Sequence, residues 1–269
     1  MTRNFLLATM ASSLVISFIV YVYLGSLNEE SKQEELSDYE VYWTYEGEKN
    51  PDLWEPVDAA YEACERGVAQ SPINIDVTNI EQQSSISEIQ LQYHNATIAI
   101  LNNGHTIQAN VKPEGQSLTI GGKSYNLAEM HFHQPSEHQL NGKHYDMEAH
   151  LIHVDEKGEL AVIGLFIEEG QANAELAPIW SILPKHHNEE ILVEDQVQLQ
   201  NLIPENKSGF QYVGSLTTPP CTEGVAWFVL ENPIQMSKKQ IQQFKNIFSN
   251  NHRPVQSLNH RKIYEMNMN

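Results

Sequence analysis

Beyond residue 70 the chain sorts into short apolar or alternating runs: "IQLQYHNATIAILNNGHTIQANV", "SLTIGGKSYNLAEMHFH", "EAHLIHV", "ELAVIGLFI" and "GVAWFVL", with turn residues between them. Period-two alternation marks a strand with one face buried, and a short apolar run between turn residues fits a strand buried on both faces. Helical spacing is scarce. The candidates are Pro178 to Leu183, Asp195 to Leu202, and "SKKQIQQFKNIFS" from Ser237 to Ser249, where a serine start precedes Ile241, Phe244 and Phe248. No internal repeat or low-complexity tract interrupts the pattern. It predicts a mainly β, single domain on a large, mostly antiparallel sheet.

The first 40 residues break that pattern. Phe5 to Gly25 carries no charge and follows Met-Thr-Arg-Asn, so residues 1–27 read as a signal peptide or an uncleaved N-terminal membrane anchor. Tyr23-Leu24-Gly25 and Leu24-Gly25-Ser26 each put a bulky residue where a cleavage site wants small-x-small, which keeps the anchor in play. Residues 28–40, "NEESKQEELSDYE", lack hydrophobic periodicity and read as an acidic, solvated tether to a domain over 41–269. Either reading sends that domain out of the cytoplasm, with membrane contact expected only through the N-terminal segment.

Charge and cysteine content narrow the class. With 16 basic and 35 acidic residues the formal net charge is −19, which argues against a nucleic-acid partner. Cys64 and Cys221 are the two cysteines. In an exported chain such a pair is expected to bridge, and closing so long a loop would stabilise the fold by roughly 4 to 5 kcal/mol in the chain-entropy model.

Candidate chemistry gathers in "AEMHFHQPSEH", residues 128–138. Alternation puts His131 and His133 on one strand face, with Glu129 beside them if the strand continues upstream. Asn141-Gly142 is a two-residue hairpin signal, and the segment after it can return against the first strand, bringing His150 as a third candidate ligand. Glu148 and Ile152 would share the face of His150, and His153 would point away. A His-x-His spacing by itself recurs by chance. The local residues leave two metal sites open: a three-histidine site, or a cupin-like one in which Glu137 is a ligand, although Tyr125 stands where that pattern wants glycine.

Three further stretches bear on the choice: "QSPINI" (Gln70 to Ile75), "LNNGH" (Leu101 to His105) and "GSLTTPPCTEGVAWFVL" (Gly214 to Leu230). With the histidine segment, and in this order from about Tyr42 to Ile263, they resemble the α-class carbonic anhydrases, particularly the exported bacterial branch. The resemblance implies a central twisted, mostly antiparallel sheet of about ten strands with a few short peripheral helices. It implies a zinc lyase that reversibly hydrates carbon dioxide to bicarbonate and a proton, by attack of zinc-bound hydroxide. Zinc would sit on His131, His133 and His150, three neutral imidazoles that leave its charge uncancelled and one position open.

By the same resemblance, Thr217 and Glu137 orient the hydroxide, Thr218 contacts substrate, and Ile152, Val162, Leu216, Val225 and Trp227 form an apolar pocket for carbon dioxide. His105 would relay the proton to solvent, its imidazole titrating near neutrality. Tyr45 would join the hydrogen-bond network, Glu148 would orient His150, and Cys64 with Cys221 matches the disulfide of the bacterial branch. The implied location is periplasmic or secreted, or held at the inner membrane by the N-terminal segment. Glu129 departs from the family's usual glutamine, and a carboxylate behind His131 should make the metal less acidifying. His138 has no assigned chemistry. A catalytically silent domain of the same fold is the competing reading; silent relatives usually lose a zinc ligand, and all three candidates are present here.

Overall fold

A computed structural model describes residues 43–81, 88–112 and 115–268. The expectations for 1–27 and 28–40 lie outside the described residues, among which no helix is long and apolar enough to cross a membrane. Eleven strands share one sheet. In chain order they are β1 (Ile89–Gln92), β2 (Ile98–Asn102), β3 (Ile107–Val111), β4 (Ser117–Ile120), β5 (Lys123–His133), β6 (Met147–Val154), β7 (Leu160–Glu169), β8 (Glu190–Leu192), β9 (Ser208–Ser215), β10 (Glu223–Met236) and β11 (Tyr264–Asn267). Their spatial order is β8-β2-β3-β5-β6-β7-β10-β9-β11, with β4 pairing β5 and β1 pairing β4. β7 and β10 run parallel, and the other neighbours are antiparallel. The mostly antiparallel expectation holds.

Burial on both faces explains the unbroken apolar runs. β6 is buried from Met147 to His153. Its Met147, Ala149 and Leu151 enter the larger core with Ile100, Ala109, Met130, Phe132, Ile163 and Leu165. Its other face looks at a smaller cluster of Val162, Phe166, Tyr212, Val225, Trp227 and Val229. The alternation of β6 therefore divides two environments, and Glu148, His150 and Ile152 take the second.

β5 needs a correction of parity to do the same. Leu127 and Met130 both belong to the larger core although an odd number of positions separates them. The register slips between Leu127 and Glu129, leaving Ala128 as an extra residue opposite β6. This bulge turns Leu127 into the core and lets Glu129 join His131 and His133 on the other face.

Asn141 (φ 52°) and Gly142 (φ 77°) form a tight left-handed turn, and Leu140 bridges Lys143 across it. A ladder running straight out of that turn would set His133 opposite His150. Instead the chain leaves β5 at His133, pairs Gln139–Leu140 with Asn74–Ile75, and returns with His131 opposite His150. The slip is two residues, so parity and the shared face survive.

Five short α-helices are described: α1 (Trp54–Val57), α2 (Glu62–Arg66), α3 (Ala177–Trp180), α4 (Leu199–Leu202) and α5 (Lys238–Lys245). Each expected helix is present but shorter. Asp195 to Leu202 yields only α4, because Val197–Gln198 pairs with Asn95–Ala96. Ser237 caps α5 in a reciprocal box with Gln240.

Candidate metal centre

One ring nitrogen from each of His131, His133 and His150 lies within 4.8 Å of the others. The remaining nitrogen of each ring faces an acceptor. His131 Nδ1 is 2.9 and 3.1 Å from the two Glu129 oxygens, His133 Nδ1 is 2.7 Å from the Asn251 carbonyl, and His150 Nε2 is 2.9 Å from Glu148 Oε1. Carbonyls and carboxylates only accept here, so these nitrogens carry the protons and the opposite ones present lone pairs. Those are Nε2 of His131 and His133 and Nδ1 of His150.

His133 Nε2 is buried with no hydrogen-bond partner. An orphaned lone pair in a dry interior is unfavourable unless an ion fills it. Burial, then the neighbouring imidazoles, hold His133 well below the ordinary histidine range, and burial brings His150 to about 4 against the pull of Glu148. Both rings are neutral at neutral pH. Three imidazole nitrogen donors fit a divalent ion of the zinc type.

Glu137 is fully buried. Its Oε1 accepts the Arg253 N–H at 2.7 Å; its Oε2 lacks a well-formed hydrogen bond and lies 3.5 Å from His133 Nε2 and 3.8 Å from His150 Nδ1. Burial pushes its carboxyl up, and hydrogen bonding from the Thr217 hydroxyl and the Arg253 N–H opposes that rise. Glu137 Oε2 therefore lies closer to two of the three histidine nitrogens than the 4.8 Å that bounds the histidine group itself.

Behind His150 lies a buried chain of polar groups. Glu148 Oε1 is shared by His150 Nε2 and His138 Nδ1, the latter at 2.8 Å, and Oε2 accepts the N–H groups of Glu137 and His138 at 2.9 and 2.8 Å. His138 Nε2 meets Tyr212 OH at 2.7 Å, and Tyr212 OH meets Ser71 Oγ at 2.7 Å. Burial alone would raise the Glu148 carboxyl, but the His138 and His150 imidazoles outweigh it and hold Glu148 well below the usual range. Gly164, opposite His150, leaves space for this carboxylate: a Cβ there would come within 3.0 Å of Glu148 Oε1.

The other expected residues fall around this centre to different degrees. Ile152, Val162, Val225 and Trp227 are buried in one cluster with Leu216 at its edge, and the Trp227 ring centroid is 4.9 Å from that of His150. Thr218 is engaged through its carbonyl, which accepts the Cys221 N–H at 2.9 Å. Cys221 is bonded to Cys64, so the disulfide expectation is borne out and the bridge closes the Thr217 turn. Half-buried Tyr45 packs on Trp43 at 5.3 Å, and burial, then the Glu137 charge, raises its phenol well above the usual value.

His105 departs from expectation in one respect. Its ring stacks flat on Trp43, with centroids 3.5 Å apart and planes within 5°. Burial, then His187, lowers its pKa to about 4 rather than leaving it near neutrality.

The eukaryotic-type carbonic anhydrase family model matches residues 49–267. The chain belongs to this family. It is 40% identical over 226 residues to a carbonic anhydrase of Klebsiella pneumoniae, spanning 83% of this chain and 91% of that one. The α-carbonic anhydrase of Thermovibrio ammonificans, solved with the inhibitor sulfanilamide, superimposes with a TM-score of 0.80 at 37% identity, covering 82% of this chain and 98% of that one. Dioscorin dioA3 of Dioscorea japonica is 30% identical over 240 residues, 85% of this chain and 88% of that one. As a carbonic anhydrase, the chain is an enzyme of carbon dioxide hydration.

Within this carbonic anhydrase several site residues carried no sequence signal. Asn251 accepts from His133 through its carbonyl, accepts the Gln134 N–H at 2.8 Å, and donates to the His105 and Phe132 carbonyls at 3.0 and 2.9 Å. Arg253 is buried and reaches Gln70, Ser71 and Cys64. Both lie over a hundred positions downstream of the residues they hold, where no period or spacing points to them. His138 was visible only as one more histidine in a rich segment.

Proposed function

We propose that this chain is a zinc-dependent carbonic anhydrase acting outside the cytoplasm, with His131, His133 and His150 as the metal ligands and His105 as the proton-transfer group. The observation that carries the reading is the set of three imidazoles, each with its far nitrogen held by an acceptor and its near nitrogen turned to a common point. Zinc bound there would act as a Lewis acid and make hydroxide available to attack carbon dioxide near neutral pH.

The chain's own residues do the rest. Glu137, held by the Arg253 N–H, would take a hydrogen bond from the Thr217 hydroxyl, which leaves the threonine oxygen to accept a hydrogen bond from the nucleophile and so aim its lone pair. Ile152, Val162, Leu216, Val225 and Trp227 offer an apolar wall suited to an uncharged, weakly polar substrate, and Thr218, next to Thr217 in the chain, is the substrate-contact residue. His105 moves the proton outward after bicarbonate leaves. The N-terminal apolar segment and the disulfide support export to the periplasm, with or without retention at the membrane.

The deciding experiment is stopped-flow carbon dioxide hydration by purified protein, with zinc quantified per chain and His131→Ala as control. Rapid hydration with about one zinc per chain is expected, and His131→Ala should lose both. Zinc at that level without hydration would instead support a silent domain. Glu137→Gln should keep its zinc while hydration falls; loss of the metal would support the cupin-like set. Cell fractionation and the mature N-terminus test the localisation.

A further inference from the structure

His144 and His252 come from distant parts of the chain and meet beside one shared segment, residues 134–137. Ser136 and Tyr145 are tied twice: Ser136 N–H donates to the Tyr145 carbonyl at 3.1 Å, and Tyr145 N–H donates to Ser136 Oγ at 2.9 Å. This sets the backbone next to His144. On the other side, Asn251 N–H donates to the Gln134 carbonyl at 3.1 Å and Arg253 N–H to Glu137 Oε1 at 2.7 Å, so His252 lies between two fastened neighbours. One frame carries both rings, and each starts from backbone that is already fixed.

The rings repeat the geometry of the three-histidine centre. Their centroids are 5.3 Å apart with planes at 73°, against 4.9 Å and 75° for His131 with His133 and 5.2 Å and 84° for His131 with His150. The tautomers repeat as well. His144 Nδ1 lies 2.6 Å from the Ser136 carbonyl and His252 Nδ1 lies 2.5 Å from Asn250 Oδ1; these oxygens only accept, so both Nδ1 atoms carry the proton. Both Nε2 atoms then present lone pairs, as those of His131 and His133 do. The Gln139 amide donates to the one on His144 at 2.9 Å. His252 is half-buried, and burial, then His144, lowers its pKa to about 4, which keeps the ring neutral at neutral pH. His144 is exposed, so an ion can reach the pair from solvent.

We propose that His144 and His252 form a second metal site, a surface clamp for a divalent transition cation, with copper(II) held most tightly. Each ring binds through Nε2 while a carbonyl oxygen holds its Nδ1 proton, the arrangement usual for histidine ligands. Two imidazoles with water in the remaining positions suit copper(II), nickel(II) or zinc(II), and affinity along that series peaks at copper. The ion displaces the Gln139 amide hydrogen bond, a neutral one near the surface whose loss water makes good. A net charge of −19 draws cations toward the molecule. The clamp shares no residue with His131, His133 and His150, so its occupancy is independent of the proposed catalytic zinc.

The test titrates copper(II) into the zinc-loaded protein, counts copper and zinc per chain at dialysis equilibrium, and records the electron paramagnetic resonance spectrum. About one copper per chain is expected, with nitrogen couplings from two imidazoles and the zinc retained. His144→Ala and His252→Ala should each lower the bound copper by about one per chain, and the double variant no further. His144→Ala alters an exposed side chain, so its zinc content and hydration rate, both expected unchanged, report that the variant is folded. Absence of copper from wild type overturns the clamp, as does uptake by His144→Ala equal to wild type. So does a spectrum with a single imidazole nitrogen, or copper that enters only as zinc leaves. If the chain holds no zinc, the zinc reading falls by itself: loss of one copper in His144→Ala still marks the clamp, because it is counted apart from whatever fills the three-histidine centre.

Discussion

In the proposed zinc site Glu129 acts only through His131. Both its oxygens lie within 3.1 Å of His131 Nδ1, so a full carboxylate rather than a neutral amide polarises that ring. A more basic imidazole donates more to the metal and leaves it a weaker acid. Glu129→Gln is therefore expected to shift the pH-rate profile of hydration toward acid and to weaken zinc retention, by roughly 10- to 100-fold on the usual scale for such partners. A pH series and competition with a chelator check both. Trp43 acts on His105 through cover instead of charge. Trp43→Ala should expose the ring and raise its pKa from about 4 toward the solvated value, read by NMR titration.

At the scale of elements, geometry depends on where regular structure is interrupted. The bulge at Ala128 reconciles a core-facing Leu127 with a site-facing Glu129, and it arises because apolar residues on both sides of it seek the same core. Helix α5 begins where its N-cap places it, and Ser237→Ala should lower unfolding stability by about 1 kcal/mol in urea titrations. The Cys64–Cys221 bridge spans 157 positions and joins α2 to the turn after Thr217 and Thr218. Replacing both cysteines with serine is expected to lower the melting temperature substantially, since closing such a loop contributes about 5 kcal/mol in the chain-entropy model. It should also lower kcat, because the Thr217 turn loses its anchor; calorimetry and kinetics read the two effects separately.

Across the whole molecule, burying histidines makes stability depend on pH. His153 points into the larger core, with Nε2 2.7 Å from Tyr93 OH, and burial lowers its pKa to about 4. Between pH 4 and 6.5 the unfolded chain therefore binds more protons than the folded one at this position, so its stabilising share is complete above about pH 6.5 and lost as pH falls toward 4. His153 alone should cost about 2 kcal/mol of stability between pH 7 and pH 5, and His153→Gln should flatten the slope of urea-derived stability against pH. The sequence by itself determined the β-rich class, the shared face of His131 and His133, the arrival of His150 on that face and the cysteine pair, because each follows from period-two alternation, a turn dipeptide or composition. Its ordered motifs also carried the family. Tertiary structure alone decided that Asn251 holds His133, that Glu148 is shared by His138 and His150 and that Trp43 covers His105. These contacts join residues far apart in the chain or set by loop geometry, and no local period encodes which distant donor will meet which acceptor once the sheet has closed around them.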